Sequence, residues 1–121
     1  MRYLIDTNII IYYLNGDKQA ISFIDTNLHQ CAISTITYLE VLVYPYSDTE
    51  DKKIRKFLEL FTIYDVSRDI IDRAIQSYRT KKIKIVDNLI GATAKVHNLS
   101  LVTRNVSDFA YIDLEIINPY T

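Results

Sequence analysis

Tyr3-Leu4-Ile5-Asp6-Thr7-Asn8-Ile9-Ile10-Ile11-Tyr12-Tyr13-Leu14-Asn15-Gly16 carries a strand, a cap, a helix and a stop in one short stretch. Three β-prone residues run into an Asp-Thr-Asn triplet, whose side-chain oxygens suit a helix N-terminus. An apolar helical run follows, and Asn15-Gly16 is a turn signal that ends it. A strand feeding directly into a helix is the beginning of an α/β unit.

The same alternation continues outward from this stretch. Residues 18–29 place Ala20, Ile21, Ile24 and Leu28 on one helical stripe. Residues 31–33 read as a strand, and Ser34 opens a helix carrying Ile36, Leu39, Glu40 and Val43, which residues 44–47 break. Asp48 with Asp51 makes a cap-like start for a helix bearing Ile54, Phe57, Leu58 and Phe61. Residues 62–66 form a strand, and Ser67 caps a helix expected to face Ile71, Ala74, Ile75 and Tyr78 inward. A basic stretch over 79–84 leads to Asp87 and a helix over 88–97, with Asn98 as a left-handed stop. Strands at 99–103 and 114–117 complete the chain. Strands separated by helices imply parallel pairing, so the fold class is α/β: one domain over 1–121, a central, mostly parallel sheet flanked by helices.

Composition agrees with a packed domain. The 121 residues are 49% apolar, with two Gly and two Pro, which excludes disordered and collagenous classes. Fourteen basic against fifteen acidic residues give a net charge of −1, so nucleic acid would have to be held locally or with the help of metal ions. Cys31 is the only cysteine, which excludes an internal disulfide and argues against a thiolate-rich zinc site. No secretory or membrane segment is visible, so the expected location is the cytoplasm.

In parallel sheets, ligands sit beyond the carboxyl ends of the strands. Asp6 follows the first strand, Asp87 opens a helix, and Asp108 comes shortly after the strand at 99–103. Glu40 sits within an otherwise apolar helical run. Carboxylates are rarely buried unless paired or bound to metal, and four oxygen donors of this kind suit Mg²⁺ or Mn²⁺. Taken singly, Asp6-Thr7-Asn8 and Asp87-Asn88 read first as plain helix caps, the commoner role of such residues, and the metal reading stands beside it. Asn8, Thr103 and Asn105 either support the carboxylates by hydrogen bonding or make caps and turns. Arg104 is read as a phosphate contact, a partner of a site acid or a surface cation, and Lys82 and Lys84 as an RNA rim or a solvated charge run. Tyr44 and Tyr46, beside Pro45, are candidates for a partner groove.

These residues also carry a family resemblance. Residues 3–8 resemble the opening of the PIN domain, and Ser34-x-x-Thr37-x-x-Glu40 is similar to its second motif. Asp87-Asn88-Leu89-Ile90-Gly91-Ala92-Thr93-Ala94 resembles the third, and Leu101-Val102-Thr103-Arg104-Asn105-x-x-Asp108-Phe109 the fourth. Residues 114–119 resemble the tail of VapC-type toxins. The resemblance implies a parallel sheet of about five strands and a metal-dependent endoribonuclease with Asp6, Glu40, Asp87 and Asp108 as its acidic quartet. Asp6 and Asp87 would hold one Mg²⁺ or Mn²⁺ directly. Asp108 would bind directly or through water, and Glu40 would take a second ion or orient the attacking water. The products would be a 5′-phosphate and a 3′-hydroxyl. It further implies an RNA substrate, a homodimer and a small antitoxin partner. Val86 stands where many relatives have proline and Gly91 where many have alanine. Altered local packing is expected there, with Gly91 costing up to about 1 kcal/mol relative to Ala.

Other classes fit less well. A PIN nuclease of RNA processing without a toxin role shares every motif. A binding-only module would be expected to have lost an acid, yet all four are present. A dehalogenase-like phosphatase needs an acid at the position of Asn8, and a receiver domain needs an adjacent acidic pair.

Overall fold

β1 (Tyr3–Ile5) lies at the centre of a five-stranded, wholly parallel sheet of order β3-β2-β1-β4-β5. The computed structural model describes residues 1–120, and Thr121, the last residue of the expected domain, lies outside the described residues. The other strands are β2 (Cys31–Ser34), β3 (Thr62–Tyr64), β4 (Ser100–Val102) and β5 (Ile116–Ile117). Six helices connect and flank them: α1 (Thr7–Leu14), α2 (Lys18–Asn27), α3 (Thr35–Leu42), α4 (Asp48–Leu58), α5 (Arg68–Thr80) and α6 (Ile85–Val96). Single 3₁₀ turns occupy Leu28–Gln30 and Val106–Phe109.

The pleat explains why the central strands read as unbroken apolar runs. Tyr3 and Ile5 point to one face and Leu4 to the other, and both faces are covered. On the first face, Ile5, Ile33 and Val102 pack with Ile9 and Ile10 of α1, Ile24 of α2, Val41 of α3 and Leu58 of α4. On the second, Leu4, Ala32 and Leu101 meet Ile90 and Ala94 of α6 and Phe109. α5 packs on α6 through Ile70, Ala74 and Ala92.

Several local expectations are corrected. α5 turns Ile70, Ala74 and Ser77 inward, whereas Ile71, Ile75 and Tyr78 are exposed. The inward stripe is the one with small residues, which lets α6 approach and lets the Asn88 amide donate to the Ala74 carbonyl at 2.8 Å. On α3 the buried positions are Thr37 and Val41, and Leu39 and Val43 face outward. α6 begins at Ile85, three residues earlier than expected, because Lys84 occupies the cap position without a side-chain acceptor and so leaves no cap signature. Asn98 adopts the expected left-handed conformation, φ 59°.

α4 is capped by Ser47, not Asp48: Ser47 Oγ accepts from the Glu50 amide, and the Glu50 carboxylate returns to the Ser47 amide. Ser47→Ala is expected to lower stability by about 1 kcal/mol in urea unfolding. An unchanged midpoint would show that the box adds nothing beyond solvent.

Candidate functional site

The chain runs from β1 to β2 and β3 on one side and returns to β4 and β5 on the other, so the sheet has its switch point between β1 and β4. A crevice beyond the carboxyl ends of the strands at such a point is where α/β sheets bind ligands. Asp6 stands at the end of β1 and Thr103 at the end of β4. Glu40 comes from α3, which follows β2; Asp87 lies in the first turn of α6, and Asp108 in the 3₁₀ turn after β4.

Asp6 is the most enclosed of the four acids, 9% exposed. Its Oδ1 accepts from the Thr7 amide at 2.8 Å, and its Oδ2 accepts from the Thr103 hydroxyl at 2.8 Å. Burial outweighs these bonds, and with Asp87 and Glu40 nearby it pushes the carboxyl up to about 6. Asp6 therefore does cap α1, but a cap alone does not account for a carboxylate held in this environment.

Glu40 is half-buried and is oriented by one threonine, which a second one contacts in turn. The Thr7 hydroxyl donates to Glu40 Oε1 at 2.6 Å, and Thr7 Oγ1 also lies 2.9 Å from Thr37 Oγ1. A distance of 2.6 Å is typical of a charge-assisted hydroxyl–carboxylate bond. One residue, Thr7, thus serves both acids: its amide holds Asp6 and its hydroxyl holds Glu40.

For Asp87 the cap reading fails. It is the third residue of α6, behind Lys84 at the cap. Its carboxyl is raised by burial, then by the charge of Asp108, and Glu40 adds to this while Lys84 opposes it. Asp87 is accordingly the member that senses both Glu40 and Asp108, while Asp6 senses Asp87 and Glu40. Asp108 itself is exposed.

Thr103 is the junction of the supporting residues. Besides donating to Asp6, its Oγ1 accepts from the Asn105 amide at 3.0 Å and, more weakly at 3.5 Å, from the Asn8 side chain. Asn105 supports the site with its backbone, and Asn8 retains a buried Oδ1 with no partner among the described residues. Lys82 and Lys84 line a cleft of about 210 Å³ together with Lys81, Asp87, Asp108 and Tyr111. The Arg104 guanidinium lies over the rings of Tyr120 and Tyr12, 4.4 and 5.4 Å from their centroids.

The residues fit a hard divalent cation. All four side chains offer oxygen ligands, burial and neighbouring acids raise the proton affinity of Asp6 and Asp87, and neither ion pair among the described residues involves any of the four. The orphaned Asn8 Oδ1 adds an uncommitted acceptor next to Thr103. Among the described residues no three His, Cys, Asp or Glu side chains are grouped so as to hold an ion by themselves. An ion such as Mg²⁺ keeps several waters and needs only one or two carboxylates, with substrate phosphate completing its shell.

The motifs give Thr7 only a share in the helix-capping triplet, and they give Thr37 and Tyr111 no role of their own. Thr7 sat inside a quoted motif, so its position was available, whereas Tyr111 announced itself only through an unexplained glycine in a helix.

Comparison with known proteins follows this geometry. A sequence model of the PIN domain matches residues 3–113. The fold is similar to a chain of a toxin-antitoxin complex from Klebsiella pneumoniae, at 37% identity and TM-score 0.87, covering 98% of each chain. It is also similar to a chain of VapBC-1 from nontypeable Haemophilus influenzae (25% identity, TM-score 0.85, all of both chains covered). A third likeness is to FitAcB from Neisseria gonorrhoeae (26% identity, TM-score 0.81, 98% of each chain). Comparison with curated protein sequences gives no match.

Proposed function

The chain belongs to the PIN domain family, and on that premise we propose that it is a Mg²⁺- or Mn²⁺-dependent endoribonuclease, the toxin of a toxin–antitoxin pair. The observation that carries this reading is that Asp6 and Asp87 lie in the field of each other or of Glu40 and Asp108 at the switch point, with no lysine or arginine among the described residues ion-paired to any of the four. The similarity to a chain of a toxin-antitoxin complex at 37% identity supports the biological role.

In this mechanism Asp6 and Asp87 would hold the metal, Asp108 would bind it directly or through water, and Glu40 would take a second ion or orient the attacking water. A bound divalent ion would neutralise charge on the scissile phosphate and lower the pKa of the water that attacks it. The chain's own residues do the rest. Thr103 and the Thr7 amide fix the two oxygens of Asp6, so that carboxylate cannot rotate away. Thr7, itself bonded to the Thr37 hydroxyl, holds Oε1 of Glu40, whose other oxygen is left to accept a proton or orient a water. Lys81, Lys82 and Lys84 present positive charge along the cleft, where the RNA backbone approaches an otherwise acidic surface.

A homodimer and a small antitoxin are the partners proposed. Leu39 on α3 and Val43 at its C-terminal cap are 60% and 72% exposed, and Tyr44 beside them is 65% exposed. Such clustered apolar exposure favours a protein surface as its cover. Among the described residues no helix is long and apolar enough to cross a membrane.

The test is titration with Mn²⁺ by calorimetry and cleavage of a mixed RNA, on wild type and on Asp87→Asn. Wild type is expected to bind and cleave, and Asp87→Asn to do neither at the same concentrations. Cleavage by Asp87→Asn at the wild-type rate, or a folded wild type inert in both assays, would overturn the proposal.

A further inference from the structure

Gly91 lies in the middle of α6, where glycine is costly, and the reason is Tyr111. A Cβ at Gly91 would overlap the Tyr111 hydroxyl and would sit 3.4 Å from Cζ of that ring and 3.6 Å from Phe109 Cδ1. The space left by the missing side chain is therefore filled by a phenol. That phenol donates to the backbone carbonyl of Asp87 at 3.2 Å. A helix carbonyl has a second lone pair beyond the one used by the helix, so this bond adds to α6 without breaking it.

The connectivity gives the contact its meaning. Tyr111 follows Asp108 by three residues and lies just beyond the 3₁₀ turn that carries it. Its partner carbonyl belongs to Asp87 itself. One hydrogen bond thus ties the segment bearing one acid to the residue bearing another, and both acids line the same cleft. The same ring lines the cleft that both acids enter.

Resting on the reading of the acids as a metal site, we propose that Tyr111 is a positioning residue: through Gly91 it locks the 3₁₀ turn to the first turn of α6 and sets the separation of Asp87 and Asp108. A tyrosine hydroxyl carries its proton at neutral pH and a carbonyl can only accept, so the direction of this bond is fixed. A phenylalanine would pack in the same place and leave the two segments free to slide.

The test compares wild type, Tyr111→Phe, Gly91→Ala and the double variant by thermal melting, metal-free amide hydrogen exchange and Mn²⁺ calorimetry. Tyr111→Phe is expected to keep the melting temperature within a few degrees while losing about threefold to tenfold of the exchange protection at Gly91 and Ala110. Its Mn²⁺ affinity should fall roughly 10- to 100-fold, the usual effect of removing a group that orients a ligand. Gly91→Ala should lower the melting temperature in the wild-type background but be neutral or stabilising in the Tyr111→Phe background, where the hydroxyl is gone.

Wild-type Mn²⁺ affinity in Tyr111→Phe overturns the proposal, even if protection is lost, because the bond would then be structural only. An equal cost of Gly91→Ala in both backgrounds overturns it too. A wild type that binds no Mn²⁺ sinks the metal-site reading separately. Exchange in the metal-free protein then still decides whether Tyr111 locks the two segments.

Discussion

Asp6→Asn is expected to melt above wild type at pH 7 in the absence of divalent metal, while RNA cleavage falls by more than the roughly 10- to 100-fold that supporting residues cost. The sign follows from the raised carboxyl. A group lifted from 3.8 to about 6 on folding favours its protonated form in the native state. Its contribution is fully present below about pH 4 and is lost as pH rises through 6, a swing of about 3 kcal/mol. Asp6 is 9% exposed, so solvent screens little of this.

Asparagine removes the penalty but weakens the bond from Thr103, leaving a net gain of about 2 kcal/mol at neutral pH. Melts of both proteins from pH 4 to 8 with chelator should show the gap open between pH 4 and 6. Added Mn²⁺ should then close it by stabilising wild type alone. A less stable Asp6→Asn at pH 7 would mean that the carboxylate is not strained by its surroundings.

The second large effect lies one residue from an acid and concerns no charge. Phe109 is fully buried against Ile90, Ala94 and Leu101, and it anchors the turn that presents Asp108. Phe109→Ala is expected to cost about 3–5 kcal/mol, and Phe109→Leu much less. For a domain of this size the alanine variant should melt more than about 10 °C lower. A loss below about 1 kcal/mol would show that the turn is held by something other than this ring.

Much of this was legible before any coordinates. β1 and Asp6 could be read because a strand, an acid and a helix follow one another without a gap, and sequence order alone places that acid at a strand end. Glu40 could be read because an acid within an apolar helix needs a reason. α5 was misread because two adjacent stripes, 70/74/77 and 71/75/78, are both plausible faces. Which one turns inward depends on α6 accepting small residues at close range, a tertiary fact. The start of α6 was missed because a lysine at the cap leaves no local sign. The tie between Gly91 and Tyr111 joins residues twenty positions apart, and no periodicity records it.

The central place of β1 also governs when the molecule can work. Tyr3 pairs with Ser100, and the Asp6 amide donates to the carbonyl of Val102, so the first strand made waits for nearly the last. Contacts this distant in sequence close late and slowly in folding. During vectorial synthesis β1 and β2 emerge together, but Asp6 meets Thr103 only after β4 has left the ribosome. A chain cut short before residue 100 therefore holds Asp6, Glu40 and Asp87 without the strand that gathers them. Such a shortened chain is expected to bind no Mn²⁺ and to cleave no RNA, because Thr103 and Asp108 are missing along with β4.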